Sequence, residues 1–126
     1  MKEFEKWFKK AESDLLVIKN NLASDEIPID ACCFHSQQAA EKYLKAFLVS
    51  RQILFPKTHD LQSLLQLCIE SNPSFNHIVE PVIRLTDYAI TPRYPDAFDD
   101  LTIEDALKAK NDSIEIKDFV LKNFFV

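Results

Sequence analysis

The chain contains no glycine among its 126 residues, where average usage of about 7% would supply roughly nine. Tight β-hairpins, phosphate-cradling loops and dinucleotide-binding turns need a residue that takes positive φ or lets backbone approach a phosphate, so all three are excluded. Three cysteines, Cys32, Cys33 and Cys68, are too few and wrongly spaced for a zinc site or a disulfide framework. They read as small core residues in a reducing compartment. Neither a signal peptide, nor a transmembrane run, nor a lipidation motif is evident, which predicts a cytoplasmic protein without a membrane role. Fifteen basic against twenty acidic residues give a net charge of −5, with the carboxyl half the more acidic. That balance argues against a broad surface tracking duplex phosphates, while a compact nucleotide pocket or a short RNA contact remains compatible with it.

What is present is helical periodicity. Phe4, Phe8, Ala11, Leu15, Ile18 and Leu22 recur at fours and threes, with Lys and Glu on the opposite side, and predict a first amphipathic helix. Asp14 lies beside that seam and reads as a solvated or capping carboxylate. Pro28 suits the start of a second helix, expected over residues 28–52 and about 40 Å long. Its apolar rows, Cys33, Gln37, Ala40, Leu44 and Phe47 and then Cys32, Ala39, Tyr43 and Ala46, cover so much of the circumference that it reads as the central member of a bundle. Its first half carries His35, Ser36, Gln37 and Gln38, and buried amides and imidazoles need partners. Glu41 and Lys45 form an (i, i+4) pair worth a few tenths of a kcal/mol on an exposed helix.

Thr58 or Asp60 opens a short third helix with Leu61, Leu64, Leu65, Cys68 and Ile69 inward. Asn72-Pro73 signals the next start, with Phe75, Ile78, Val79, Val82, Ile83 and Leu85 facing the core and Pro81 kinking the helix in passing. Residues 91–100, with two prolines, make the one substantial loop. Thr102 to Asp105 reads as a capping box for a last helix, with Ala106, Ala109, Ser113, Ile116, Val120 and Phe124 inward. The expectation is a single all-α domain over residues 1–126: an up-and-down four-helix bundle with an additional short helix.

Ala11, Asp14-Leu15, the run Cys33-Phe34-His35-Ser36-Gln37-Gln38-Ala39-Ala40-Glu41-Lys42-Tyr43-Leu44-Lys45-Ala46, Lys57-Thr58-His59-Asp60-Leu61, and Tyr88 followed by Arg93-Tyr94-Pro95-Asp96 resemble the HEPN family, the higher eukaryotes and prokaryotes nucleotide-binding domain, in its prokaryotic stand-alone form. The resemblance implies a homodimeric four-helix bundle that acts with a minimal nucleotidyltransferase, often as toxin and antitoxin. Family members that cut RNA carry an Arg followed after four to six residues by His. Here the nearest case, Arg51 to His59, has seven residues between across a proline-containing turn, so a binding or regulatory protein is favoured over a metal-independent RNA endonuclease, with a ligand-free interaction module as a third reading. No cofactor or metal is implied.

The residues single out one expected ligand site. Arg93 is the only cation between Thr86 and Leu107, and a guanidinium on a proline-stiffened loop suits bidentate phosphate recognition. The loop residues Arg93, Tyr94 and Asp96 are expected to close over His35, Gln38 and Lys42 on the second helix and to hold an anionic nucleotide. A loop salt bridge for Arg93 is the competing structural reading.

Overall fold

The structure, a computed structural model, describes residues 2–88 and 100–124. The expected Arg93, Tyr94 and Asp96 lie outside the described residues. The chain forms α1 (Glu3–Leu22), α2 (Ile29–Ser50), α3 (Leu61–Ser71), a 3-10 helix (Pro73–Ile78), α4 (Val79–Thr86) and α5 (Ile103–Phe124). The all-α, up-and-down bundle with a comparatively short additional element matches the expectation.

α2 packs against α1, α5, α3 and α4, and thirteen of its twenty-two residues are buried. That follows from its two apolar rows: a helix with only one apolar stripe would bury one face and leave the other to water. Leu44, Phe47, Leu64, Val82 and Val120 share one core with Ala11, Cys33, Phe75 and Ile116, and Phe8 and Leu15 of α1 pack against it. Phe124 closes one end of the bundle, its ring centroid 4.8 Å from Phe4 and 4.9 Å from Phe8.

α2 ends by a route that normally calls on glycine. Gln52 has φ of 58°. Ile53 N donates to Leu48 O at 2.9 Å and Gln52 N to Val49 O at 3.0 Å, the paired bonds of a Schellman motif with Gln in the left-handed position. Elsewhere the caps fall where side chains permit. Asp60 accepts from Gln62 N at the start of α3, and Asn72 accepts from Ser74 N at the 3-10 helix. Thr102 and Asp105 bond each other's backbone N–H at the start of α5, the anticipated capping box.

The region around Pro81 corrects one expectation. The chain does not run as one kinked helix from Pro73. It forms a 3-10 helix to Ile78 and restarts as α4 at Val79, which puts Pro81 third in the new helix. There the missing N–H is one that a first turn leaves unbonded anyway, and the ring avoids the carbonyl a continuous helix would set against it. The inward row Phe75, Ile78, Val82 and Leu85 keeps its register through the restart, and Ile83, expected in the core, is 51% exposed.

Candidate polar site on the second helix

Three side chains join α1 to the middle turns of α2. Asp14 is buried, and its two carboxylate oxygens take different partners: His35 Nδ1 donates to Oδ1 at 2.8 Å and Lys42 Nζ to Oδ2 at 2.5 Å. The carboxylate read from sequence as solvated or capping is therefore the anchor of the cluster. One face of α1 supplies Asp14 between Ala11 and Ile18, both buried, and the seven-residue step from His35 to Lys42, two helical turns, sets both donors toward it. Because Nδ1 of His35 is held by Asp14, Nε2 is the nitrogen left for a ligand, and the imidazole is partly exposed, at 29%. Gln38 lies between them in sequence, half-buried and without a side-chain hydrogen bond among the described residues. The structure thus brings His35 and Lys42 together around a common carboxylate.

A second cluster lies on the neighbouring stripe of α2. Glu41 is buried and takes Lys45 Nζ at 3.0 Å on Oε2 and His59 Nδ1 at 2.8 Å on Oε1. The Glu41–Lys45 (i, i+4) pair lies inside the bundle, with side chains 3% and 8% exposed. Gln37, wholly buried, donates from Nε2 to the backbone oxygen of His59 at 3.0 Å, so two successive turns of α2 pin the connection to α3. Gln37 Oε1 is the one buried side-chain polar atom among the described residues without a partner.

Two further contacts organise α5. Arg84 of α4 grips buried Asp112 with two bonds, Nε to Oδ2 at 3.0 Å and Nη2 to Oδ1 at 2.9 Å. Tyr43 donates its hydroxyl to Glu12, which also meets Lys117 Nζ at 2.9 Å. Burial opposes ionisation of Glu12, but Tyr43 and Lys117 together hold its carboxyl below the usual carboxylate range. Burial and the Glu12 contact push the Tyr43 phenol up. Arg51, the arginine nearest ahead of a histidine, donates from Nη2 to the carbonyl oxygens of Asn123 at 3.2 Å and Phe124 at 3.0 Å, satisfying the carboxyl end of α5. His77 is exposed, with its ring edge-on to Phe119 at 6.1 Å.

Glu41 and Asp112 were missed as buried groups. For Glu41 the signal was there: it stands four residues after Gln37 and three before Leu44, inside a row assigned to the core. Asp112 carried the same signal, three residues after Ala109 and four before Ile116 on the inward row of α5; its partner Arg84, arriving from α4, was not legible that way.

The cysteines are free and buried, as expected. Burial, helped by the Asp105 charge for Cys33, raises both Cys33 and Cys68 from an ordinary value of 9.0 to about 12. The folded state therefore keeps these protons where the unfolded chain loses them. Their contribution to stability is whole below the unfolded thiol's pKa and falls as pH rises from 9 toward 12. Two outcomes are expected: native protein at pH 8 leaves a thiol-specific chromogenic reagent unreacted until urea unfolds it, and the urea midpoint drops steadily above pH 9. Rapid labelling without denaturant would show that the core admits the reagent.

No group of three or more His, Cys, Asp or Glu side chains able to hold a metal ion occurs among the described residues. None of the described helices is long and apolar enough to cross a membrane.

A glycine-free helical bundle whose central helix carries an anchored imidazole and ammonium on its middle turns defines a helical domain built around one polar helix face. The chain belongs to the HEPN domain family, which matches residues 4–123. It is similar to a protein of Methanocaldococcus jannaschii named "Putative toxin MJ1304", 28% identical over 94% of this chain and 88% of the relative. It is also similar to the crystal structure of ST0689, an archaeal HEPN homologue, with a TM-score of 0.74 and 28% identity over 98% of this chain and 99% of that one.

Proposed function

We propose that this chain is a HEPN component of a toxin–antitoxin pair that works as a homodimer with a minimal nucleotidyltransferase partner, and that its polar α2 face holds an anionic nucleotide or a short RNA phosphate. The observation that carries the reading is the Asp14-anchored presentation of His35 and Lys42 on one face of α2. Asp14 fixes both side chains before any ligand arrives, which lowers the entropy lost on binding, and Lys42 and the outer His35 nitrogen are groups that contact phosphate oxygens. Gln38 adds an amide for a base or sugar edge, and Arg93, Tyr94 and Asp96 belong to the loop proposed to cover the site. Similarity along nearly the whole chain to a relative named as a toxin supports the toxin–antitoxin part.

Binding is favoured over metal-independent RNA cleavage because Arg51, the sequence candidate for a cleavage arginine, is engaged with the carbonyls that end α5. Transition-state stabilisation in such a cut needs a cation free to meet the developing charge.

The test joins a cellular and a calorimetric measurement. Induction of the chain alone is expected to arrest growth, and co-expression of a minimal nucleotidyltransferase from the same genome is expected to restore growth, the two proteins co-purifying. Nucleoside triphosphate titrated into the isolated protein is expected to bind, with Lys42→Ala and Arg93→Ala each weakening binding about tenfold, the loss of one charge-assisted phosphate contact. Binding unchanged in both variants would move the site elsewhere. RNA cut in EDTA, and abolished by His35→Ala, would replace binding with catalysis.

A further inference from the structure

The segment Lys57-Thr58-His59 takes no part in the proposed nucleotide face, yet it lines a cavity of about 450 Å³ with Trp7 of α1, Lys45 of α2 and Phe55 of the connection. We propose that this cavity is a second binding site, for a small aromatic acid: a flat ring against Trp7 and Phe55, with its anionic group on Lys57 and Thr58.

The walls are set in place by the buried Glu41 carboxylate. It fixes Lys45, whose ammonium lies 5.4 Å from the Trp7 ring centroid and 5.8 Å from that of Phe55, a cation–π arrangement that orders both rings. The two rings meet edge to face at 6.4 Å, so together they form a corner rather than a closed stack. The other Glu41 oxygen fixes His59 through Nδ1. A cavity so held is already in its bound shape, and its volume lies at the lower end of the range that takes small ligands, about 300–1,000 Å³.

The charge at the mouth selects an anion. Glu41 is one carboxylate facing two basic side chains. Lys57 is exposed and has no ion pair among the described residues, in a chain whose net charge is −5. The Thr58 hydroxyl oxygen accepts from Asp60 N at 3.0 Å, which leaves its own proton to donate. The nearest carboxylate in sequence, Asp60, is turned to the start of α3, where it accepts from Gln62 N at 3.1 Å and Ser63 Oγ at 2.6 Å, and so does not compete for Lys57. The imidazole of His59 is 63% exposed, with Nε2 on the side away from Glu41. Aromatic walls and uncompensated donors on one rim call for a ligand that is flat and apolar at one end and anionic at the other.

Trp7 is the chain's sole tryptophan, so intrinsic fluorescence reads this cavity directly. The full chain is titrated with phenyl phosphate and with benzoate, and in parallel with benzyl alcohol and with inorganic phosphate. At least one of the two aromatic acids is expected to quench Trp7 saturably, while the neutral alcohol and the bare anion bind at least about tenfold more weakly, each lacking one half of the recognition. Lys57→Ala, a change at an exposed side chain, is expected to keep the melting temperature and weaken the acid by about tenfold. Absence of saturable quenching by either acid, equal binding of benzyl alcohol, or full affinity in Lys57→Ala at an unchanged melting temperature would each overturn the proposal.

Discussion

Replacing Glu41 with Ala is expected to lower the unfolding free energy by about 3–5 kcal/mol, the usual consequence of leaving a buried ion without its partner. Lys45 is the reason. Its side chain is 8% exposed, lies over Trp7 and Phe55, and has Glu41 as its counter-charge at 3.0 Å. The same change frees His59 and weakens the tie between α2 and the start of α3. Urea denaturation checks the value, read as a lower midpoint at constant slope. The double variant Glu41→Ala, Lys45→Met is expected to recover most of the loss, because an apolar chain of similar length needs no counter-charge there. A single-variant effect under about 1 kcal/mol would mean that Lys45 swings to solvent instead.

Phe47→Ala is expected to cost about 3–5 kcal/mol, the range for removing a buried aromatic ring. Phe47 is wholly buried, its ring centroid is 4.4 Å from that of Phe75, and the Arg51 guanidinium lies 4.8 Å from it. Truncation therefore opens a cavity against the 3-10 helix and withdraws the surface on which Arg51 rests. Leu54→Ala is the matched control. Leu54 is 94% exposed, so its loss is expected to stay within about 0.5 kcal/mol. A Phe47→Ala effect as small as the control's, followed by thermal and urea unfolding, would show that the centre of the core lies elsewhere.

How much of this was legible in the sequence differs by element. The placement of α1, α2, α3 and α5 followed from periodicity, because an apolar row at fours and threes has few ways to be buried other than as a helix. The caps at Asp60, Asn72, Thr102 and Asp105 were legible because capping is local chemistry. The break at Ile78 was not, since periodicity continues through a helix that stops and restarts, and only the steric demand of Pro81 separates the two. Among polar groups, sequence placed His35 and Lys42 on one helix but could not supply Asp14, because the ion pair joins residues 28 apart in the chain. The same limit applied to Arg84 and Asp112, also 28 apart. Tertiary electrostatics leaves no periodic trace; it depends on which helix faces arrive together.

The way α2 is enclosed bears on how the molecule opens. Its amides are intrahelical, and its side chains meet four other helices, so no local fluctuation exposes the middle of α2 while the rest stays folded. Those amides exchange with solvent only when the whole bundle opens, and their exchange rates report the global stability. The seam at Ile78 and Val79 behaves in the opposite way. The helical ladder is interrupted there, and the 3-10 helix and α4 on either side have only six and eight residues. That segment can lift as a unit at lower free energy, giving the bundle a slow-exchanging axis and a fast-opening flank.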